Sequence, residues 1–139
     1  MNIDAIHNGI VIDHIRAGQA MKIYDFLDLG SLDCPVAIIK YATSNKMGRK
    51  DIIKIDSELK VDLNALGYID PEITINIIRD GVRVKKYHPE LPELITNIIR
   101  CKNPRCITSI EQELPHVFKL IDREKDEYRC VYCESKAGI

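Results

Sequence analysis

Cys101-Lys102-Asn103-Pro104-Arg105-Cys106, followed after 23 residues by Cys130-Val131-Tyr132-Cys133, decides how the last third of this 139-residue chain folds. Two short cysteine pairs at that separation suit one tetrahedral metal. Each pair sits on a tight knuckle that aims two sulfurs inward, and the intervening segment folds back as a hairpin. Thiolates are soft donors, and four of them around one ion read as a single structural Zn2+ with no open position for a substrate. Asn103-Pro104-Arg105 is a turn-forming run suited to a knuckle between two ligands. Disulfides or unrelated thiols are the alternative, and iron in the same cage is a lesser one. A unit of about 45 residues is too small to hold itself together by its core, so the metal supplies much of its folding energy.

Working outward, composition sets the limits. Hydrophobic residues make up 45% of the chain and charged residues 29%, which supports a real core under a polar surface. No apolar run approaches the roughly 20 residues needed to span a bilayer, and the N-terminus lacks the basic-then-apolar signature of a signal peptide. Five cysteines, four in metal spacing, suit a reducing cytoplasm, with Cys34 read as a packed thiol. The net charge is −1, with 12 basic against 14 acidic residues up to residue 93 and 8 against 7 beyond it. Neither half has the basic excess that drives binding to a phosphate backbone, so a nucleic-acid-binding zinc ribbon is the weaker alternative. An independent enzyme is also disfavoured. His7, His14, His88 and His116 are scattered, no nucleophile–base spacing stands out, and a four-thiolate metal has no vacant position.

Before the cysteines the chain reads as alternating elements. Gly9–Ile15 (GIVIDHI) alternates loosely and is rich in β-branched residues, which predicts a strand. Ala17–Leu29 has helical spacing at Ala20, Ile23, Tyr24 and Leu27, with Gly30 placed to stop it. Pro35–Tyr41 and Lys50–Asp56 are predicted strands around a polar turn at Thr43–Arg49, and Asp62–Gly67 is a short helix with Asp62 as N-cap. Ile73–Arg79 and Val82–Tyr87 flank Asp80-Gly81, a two-residue hairpin signal. The order β-α-β-β-α-β-β makes the chain α+β, with a ferredoxin-like N-terminal domain whose two helices cover one face of an antiparallel sheet. His88-Pro89 and Leu91-Pro92 break the pattern, so residues 1–93 form the first domain and 94–139 a small all-β zinc-binding domain. Strands are expected there at Leu94–Ile99, Val117–Ile121 and Glu127–Val131, the last two joined by the charged turn Asp122–Asp126.

Three passages go beyond fold class: Gly9-Ile10-Val11-Ile12-Asp13-His14-Ile15, Met47-Gly48-Arg49-Lys50-Asp51-Ile52-Ile53-Lys54-Ile55, and Thr74-Ile75-Asn76. Together with the cysteine knuckles, they make the chain resemble, over nearly its whole length, the regulatory chain of aspartate carbamoyltransferase. The resemblance implies a noncatalytic subunit whose N-terminal domain binds nucleotide effectors, ATP and CTP in the best-known members. It implies a zinc domain docked on the catalytic chain that makes carbamoyl aspartate for pyrimidine biosynthesis. It also implies a homodimer through the N-terminal domain, in an assembly of two catalytic trimers and three regulatory dimers.

The candidate effector site combines both kinds of reading. Lys50 and Lys54 are four apart on a predicted strand, so both project from one face toward ribose and phosphate oxygens. Asp13 is able to accept from an exocyclic amino group, and Asn76 both donates and accepts. From the resemblance, Lys86 meets the triphosphate and His14 neighbours the phosphates. Asp4, Ala5 and Ile6 match the segment whose backbone reads the base, while Val11 and Ile78 fit the apolar wall. Read without the resemblance, the lysines are more simply solvated edge-strand residues, and Asp13–His14 a structural pair.

Overall fold

The computed structural model describes residues 6–58 and 63–137. The chain divides into two compact units, Met1–Glu90 and Leu91–Ile139. Asp62, the expected N-cap, and the site candidates Asp4 and Ala5 lie outside the described residues.

The first unit is a five-stranded antiparallel sheet in the order β2-β3-β1-β4-β5, built from β1 (Gly9–Arg16), β2 (Val36–Ser44), β3 (Gly48–Ile55), β4 (Thr74–Arg79) and β5 (Val82–Tyr87). The first four strands are in ferredoxin-like order, and β5 is appended by a hairpin. Both turn residues of that hairpin have positive φ, Asp80 at 50° and Gly81 at 75°, as a tight turn matched to strand twist requires. One face of the sheet is the core. Ile10, Ile12, Ile15, Ile53, Ile55, Ile73 and Ile75 pack there with Ala20, Ile23 and Leu27 of the first helical segment and with Leu63 and Leu66 of the second.

The loose alternation of Gly9–Ile15 has a structural cause. Ile12 pairs with Ile53 but Ile15 pairs with Asp51, so Asp13 and His14 together oppose a single residue of β3. This bulge, with His14 at φ 57°, restores Ile15 to the core face three residues after Ile12. A second bulge lies across β3, where Ile39 pairs with Ile52 and Ala42 with Lys50, and Tyr41 takes φ 61°.

The helices are shorter than their periodicity suggests. The first, α1, spans Ala20–Phe26, and a 3-10 turn follows at Leu29–Ser31. The left-handed stop is Asp28 at φ 53°, not Gly30. Asp tolerates that conformation, and the carbonyl of Asp28 accepts the Ser31 hydroxyl at 2.8 Å. The second segment is a 3-10 turn, Leu63–Ala65, running into α2, Leu66–Ile69.

The second unit carries a three-stranded antiparallel sheet of β6 (Leu94–Thr96), β7 (Val117–Asp122) and β8 (Glu127–Cys130) in that order. β6 ends three residues earlier than expected because Asn97 turns out at φ 58°, donates its N–H to the His116 carbonyl and accepts the His116 N–H. The Asp122 carboxylate receives the amides of Glu124 and Lys125 and so shapes the β7–β8 turn. One helical turn, α3 (Ile107–Ile110), follows the first knuckle and was not legible in the pattern. Ile95, Phe118 and Tyr128 are the large fully buried side chains of this unit.

Candidate metal centre and effector face

The sulfurs of Cys101, Cys106, Cys130 and Cys133 all lie within 4.8 Å of one another. Cys101 and Cys133 are 3.5 Å apart and Cys106 and Cys130 3.7 Å, far longer than the ~2.05 Å of a disulfide. A regular tetrahedron with Zn–S bonds of about 2.3 Å has S···S edges of roughly 3.8 Å, close to these two separations, so the donor set suits one zinc ion.

Local hydrogen bonds build each knuckle. In the first, the Asn103 carboxamide oxygen accepts the Arg105 amide at 3.0 Å, and the Asn103 carbonyl accepts the Cys106 amide at 3.0 Å. The Ser109 hydroxyl donates to the Asn103 carbonyl at 2.7 Å, which ties α3 to the loop. His116 takes the Cys101 amide on Nδ1 at 3.1 Å. In the second, the Glu134 amide donates to the Cys130 carbonyl and the Cys130 amide to the Ser135 carbonyl, each at 2.9 Å. Asn103 Nδ2 donates to the Ser135 hydroxyl at 3.3 Å and joins the two knuckles.

The four thiols are not equivalent. The Ser135 hydroxyl, against the opposing effect of burial, brings Cys133 down to about 6, while burial pushes Cys101 up to about 12. The Thr108 hydroxyl, 3.1 Å from its sulfur, lowers Cys106, and burial raises Cys130. A divalent cation supplies the positive charge that four crowded thiolates need. Thr108 and Ser135 were not singled out from sequence, although each stands two residues after a cysteine, a Cys-x-Ser/Thr offset present in both knuckles.

On the face of the N-terminal sheet opposite its core, strand register gathers several expected site residues. Lys54 pairs with Val11, Val11 with Asn76, and Asn76 with Lys86, forming one row across β3, β1, β4 and β5. Three strand spacings of about 4.8 Å separate the two lysines, roughly 14 Å along the row. Neither lysine has an ion pair among the described residues. Asn76 donates to the Val11 carbonyl at 3.3 Å and is largely buried. Ile78 lies in the adjoining row, opposite Gly9. Half-buried Ile6 precedes His7, whose carbonyl accepts the Gly81 amide at 2.8 Å, so this segment is tied to the β4–β5 turn.

On the other side of the row is the β1 bulge. Lys50 is not free as the sequence suggested: its ammonium lies 2.9 Å from Asp13 Oδ1. The same oxygen accepts the His14 amide at 2.6 Å. His14 Nδ1 is 3.1 Å from the hydroxyl of Thr74, a nearly buried residue that sequence reasoning did not select. Thr74 is opposite Asp13 in the β1–β4 register, a relation that only strand pairing reveals.

Residues 1–90 match the family described as aspartate carbamoyltransferase regulatory chain, allosteric domain, and residues 93–138 match its metal binding domain. The chain belongs to the aspartate carbamoyltransferase regulatory chain family. Its relatives of that name include one from Clostridium tetani, 53% identical over 135 residues, which cover 96% of this chain and 94% of the relative. Another, from Clostridium acetobutylicum, is 52% identical over 134 residues, covering 96% and 92% respectively. The relative from Bifidobacterium longum is 40% identical across the full length of both chains. As a regulatory chain it is noncatalytic, associates with the catalytic chain, and carries an allosteric domain and a metal-binding domain with one structural zinc. The nucleic-acid ribbon alternative is not favoured. Among the described residues no helix is long and apolar enough to cross a membrane.

Proposed function

We propose that the N-terminal unit binds CTP and ATP on the face opposite its core, and that occupancy there biases the quaternary equilibrium of the holoenzyme in the cytoplasm. The row Lys54–Val11–Asn76–Lys86 carries this reading. Its two ends supply cations with no ion pair among the described residues for phosphate oxygens, and its middle supplies an amide and an apolar contact for the nucleoside. Lys50, Asp13 and His14 border it as a hydrogen-bonding group for the base or phosphates, with Ile78 as apolar wall and Asp4, Ala5 and Ile6 as the base-reading segment. Such a ligand shifts the equilibrium only by its difference in affinity between the two states.

Cys101, Cys106, Cys130 and Cys133 are the zinc ligands in this reading. The metal holds the second domain in the shape that grips the catalytic chain. Exposed Ile107, Ile110, Val131 and Tyr132 flank the cysteine knuckles in sequence and offer apolar contact to such a partner. Homodimerisation uses the N-terminal sheet. Its β5 edge carries Arg83, Lys85 and Lys86, charges that oppose edge pairing, whereas the β2 edge presents Val36, Ala37, Ile38 and Ile39.

Sedimentation of this chain with the catalytic chain, with zinc and after chelation, tests the assembly. A complex that requires zinc is expected, and its absence in both conditions removes the docking role. Nucleotide titration of the assembly with and without substrate analogue tests the allosteric link. Because linkage is reciprocal, nucleotide affinity that ignores the analogue overturns it.

A further inference from the structure

Asp51 is fully buried on the core face of β3, yet its carboxylate meets no side-chain cation among the described residues. It accepts three backbone amides instead. Oδ2 takes Gly18 N–H at 2.9 Å and Ala20 N–H at 3.1 Å, and Oδ1 takes Tyr41 N–H at 2.9 Å. These bonds reach two distinct irregularities. Tyr41 is the positive-φ residue of the β2 bulge, and Gly18 and Ala20 lie where the chain leaves β1 and enters α1. Asp51 is also the residue paired with Ile15, the first position after the β1 bulge. A second buried carboxylate, Asp70, takes the Arg16 amide at 3.2 Å, so the exit from the bulge is held by two carboxylates.

We infer that Asp51 is a positioning residue of the effector face, acting through the backbone on Asp13, His14 and Lys50 without touching a ligand. Lys50 precedes Asp51 on β3, and its ammonium reaches Asp13 only in the register where Arg16 opposes Lys50 and Ile15 opposes Asp51. The bulge exposes Asp13 and His14 to the outer face while Ile15 returns to the core, and a slip of one residue would reverse both. A carboxylate accepting three amides fixes that register from the inner side, because its loss would take the partner from donors in both irregularities, the buried Ala20 amide above all. The chemistry also explains why an acid follows Lys50 in the Met47–Ile55 run. An amide at position 51 has one acceptor oxygen for donors on two sides and turns its NH2 against one of them.

The inference rests on the effector reading of the outer face, and its test separates the two. The full chain is prepared as wild type, Asp51→Asn and Leu29→Val, the last being a buried core change on the 3-10 turn after α1, outside both bulges and the strands that pair with them. CTP and ATP are titrated by calorimetry at a temperature where circular dichroism shows all three folded. Asp51→Asn is expected to weaken binding about tenfold, the scale of one lost charge-assisted bond, while Leu29→Val lowers the unfolding midpoint and leaves affinity unchanged. Amide resonances of Gly18, Ala20 and Tyr41 move upfield in Asp51→Asn, and the signals of Asp13, His14 and Lys50 move with them. Unchanged affinity, or stationary signals at those three outer-face residues, overturns the inference. A wild-type chain that binds neither nucleotide removes the effector reading alone, and the outer-face signals then decide the positioning role. If Asp51→Asn does not fold, Asp51→Glu, which keeps the charge and shifts it by one methylene, goes through the same measurements with the same outcomes.

Discussion

Replacing Cys130 by serine tests the metal centre most directly. Cys130 is buried at the end of β8, opposite Phe118 in the sheet, with its sulfur 3.7 Å from that of Cys106. A structural zinc of apparent binding free energy about 10–16 kcal/mol, divided over four thiolates, assigns roughly 3–4 kcal/mol to each. Losing one therefore weakens zinc about 100- to 1000-fold, at roughly 1.4 kcal/mol per decade. The rest of the unit has little to fall back on. Ile95, Phe118 and Tyr128, the large fully buried side chains of that unit, contribute about 1.5–3 kcal/mol each by burial. Ordering its backbone costs about 1 kcal/mol or more for every residue. The expected outcome is loss of zinc and of amide-exchange protection in β7 and β8. The core cluster of the first unit, from Ile10 to Ile75, contains no residue of the second and keeps its protection. Chelation of the wild type should reproduce the pattern. Protection at Phe118 and Tyr128 that survives in metal-free Cys130→Ser refutes the reasoning, because the domain would then stand on its apolar core.

Ser135→Ala removes the hydrogen bond that holds Cys133 down at about 6; with that thiolate less favoured, zinc affinity falls about tenfold in chelator competition. Because a depressed thiol stays ionised to lower pH, losing the bond raises the pH at which acidification releases the metal, readable with a colorimetric zinc indicator. Lys54→Ala should weaken CTP and ATP by about tenfold and flatten the salt dependence of binding, measured by calorimetry at two ionic strengths. Gly67→Ala places a Cβ 2.5 Å from the Glu90 carbonyl oxygen, so the first unit should lose about 1–3 kcal/mol in urea unfolding. Tyr128→Phe removes the hydroxyl that donates to the Pro92 carbonyl and should cost the second unit about 1 kcal/mol in thermal unfolding of the zinc-loaded chain.

Much of the molecule was legible in one dimension because the physics there is local. A cysteine pair with four or two residues between its members can close a knuckle within its own loop. Asp80-Gly81 accepts positive φ without help from the rest of the fold. The strands of β1, β4 and β5 follow from side-chain alternation, and α1 from its apolar spacing, although Asp28 and not Gly30 ends it. The cysteine cluster and the order of strands and helices in the first unit therefore needed no tertiary information, whereas α3 in the second was missed.

The outer face of the N-terminal sheet, the proposed effector site, is different because a sheet brings together residues that no spacing relates. Lys54, Val11, Asn76 and Lys86 share a row only because β1 lies between β3 and β4, and β4 beside β5. Pairing also decided that Lys50 is engaged by Asp13, that Thr74 stands against His14, and that Asp51 turns inward to hold three amides. In the sequence, Asp13-His14 looked like an imperfection in a strand's alternation. The sequence by itself determined the main strands and the four-cysteine cluster, whose geometry is set within a few residues. Only the tertiary structure decided which charges lie on the sheet face opposite the core, because one inserted residue in a strand reverses the side of every residue after it.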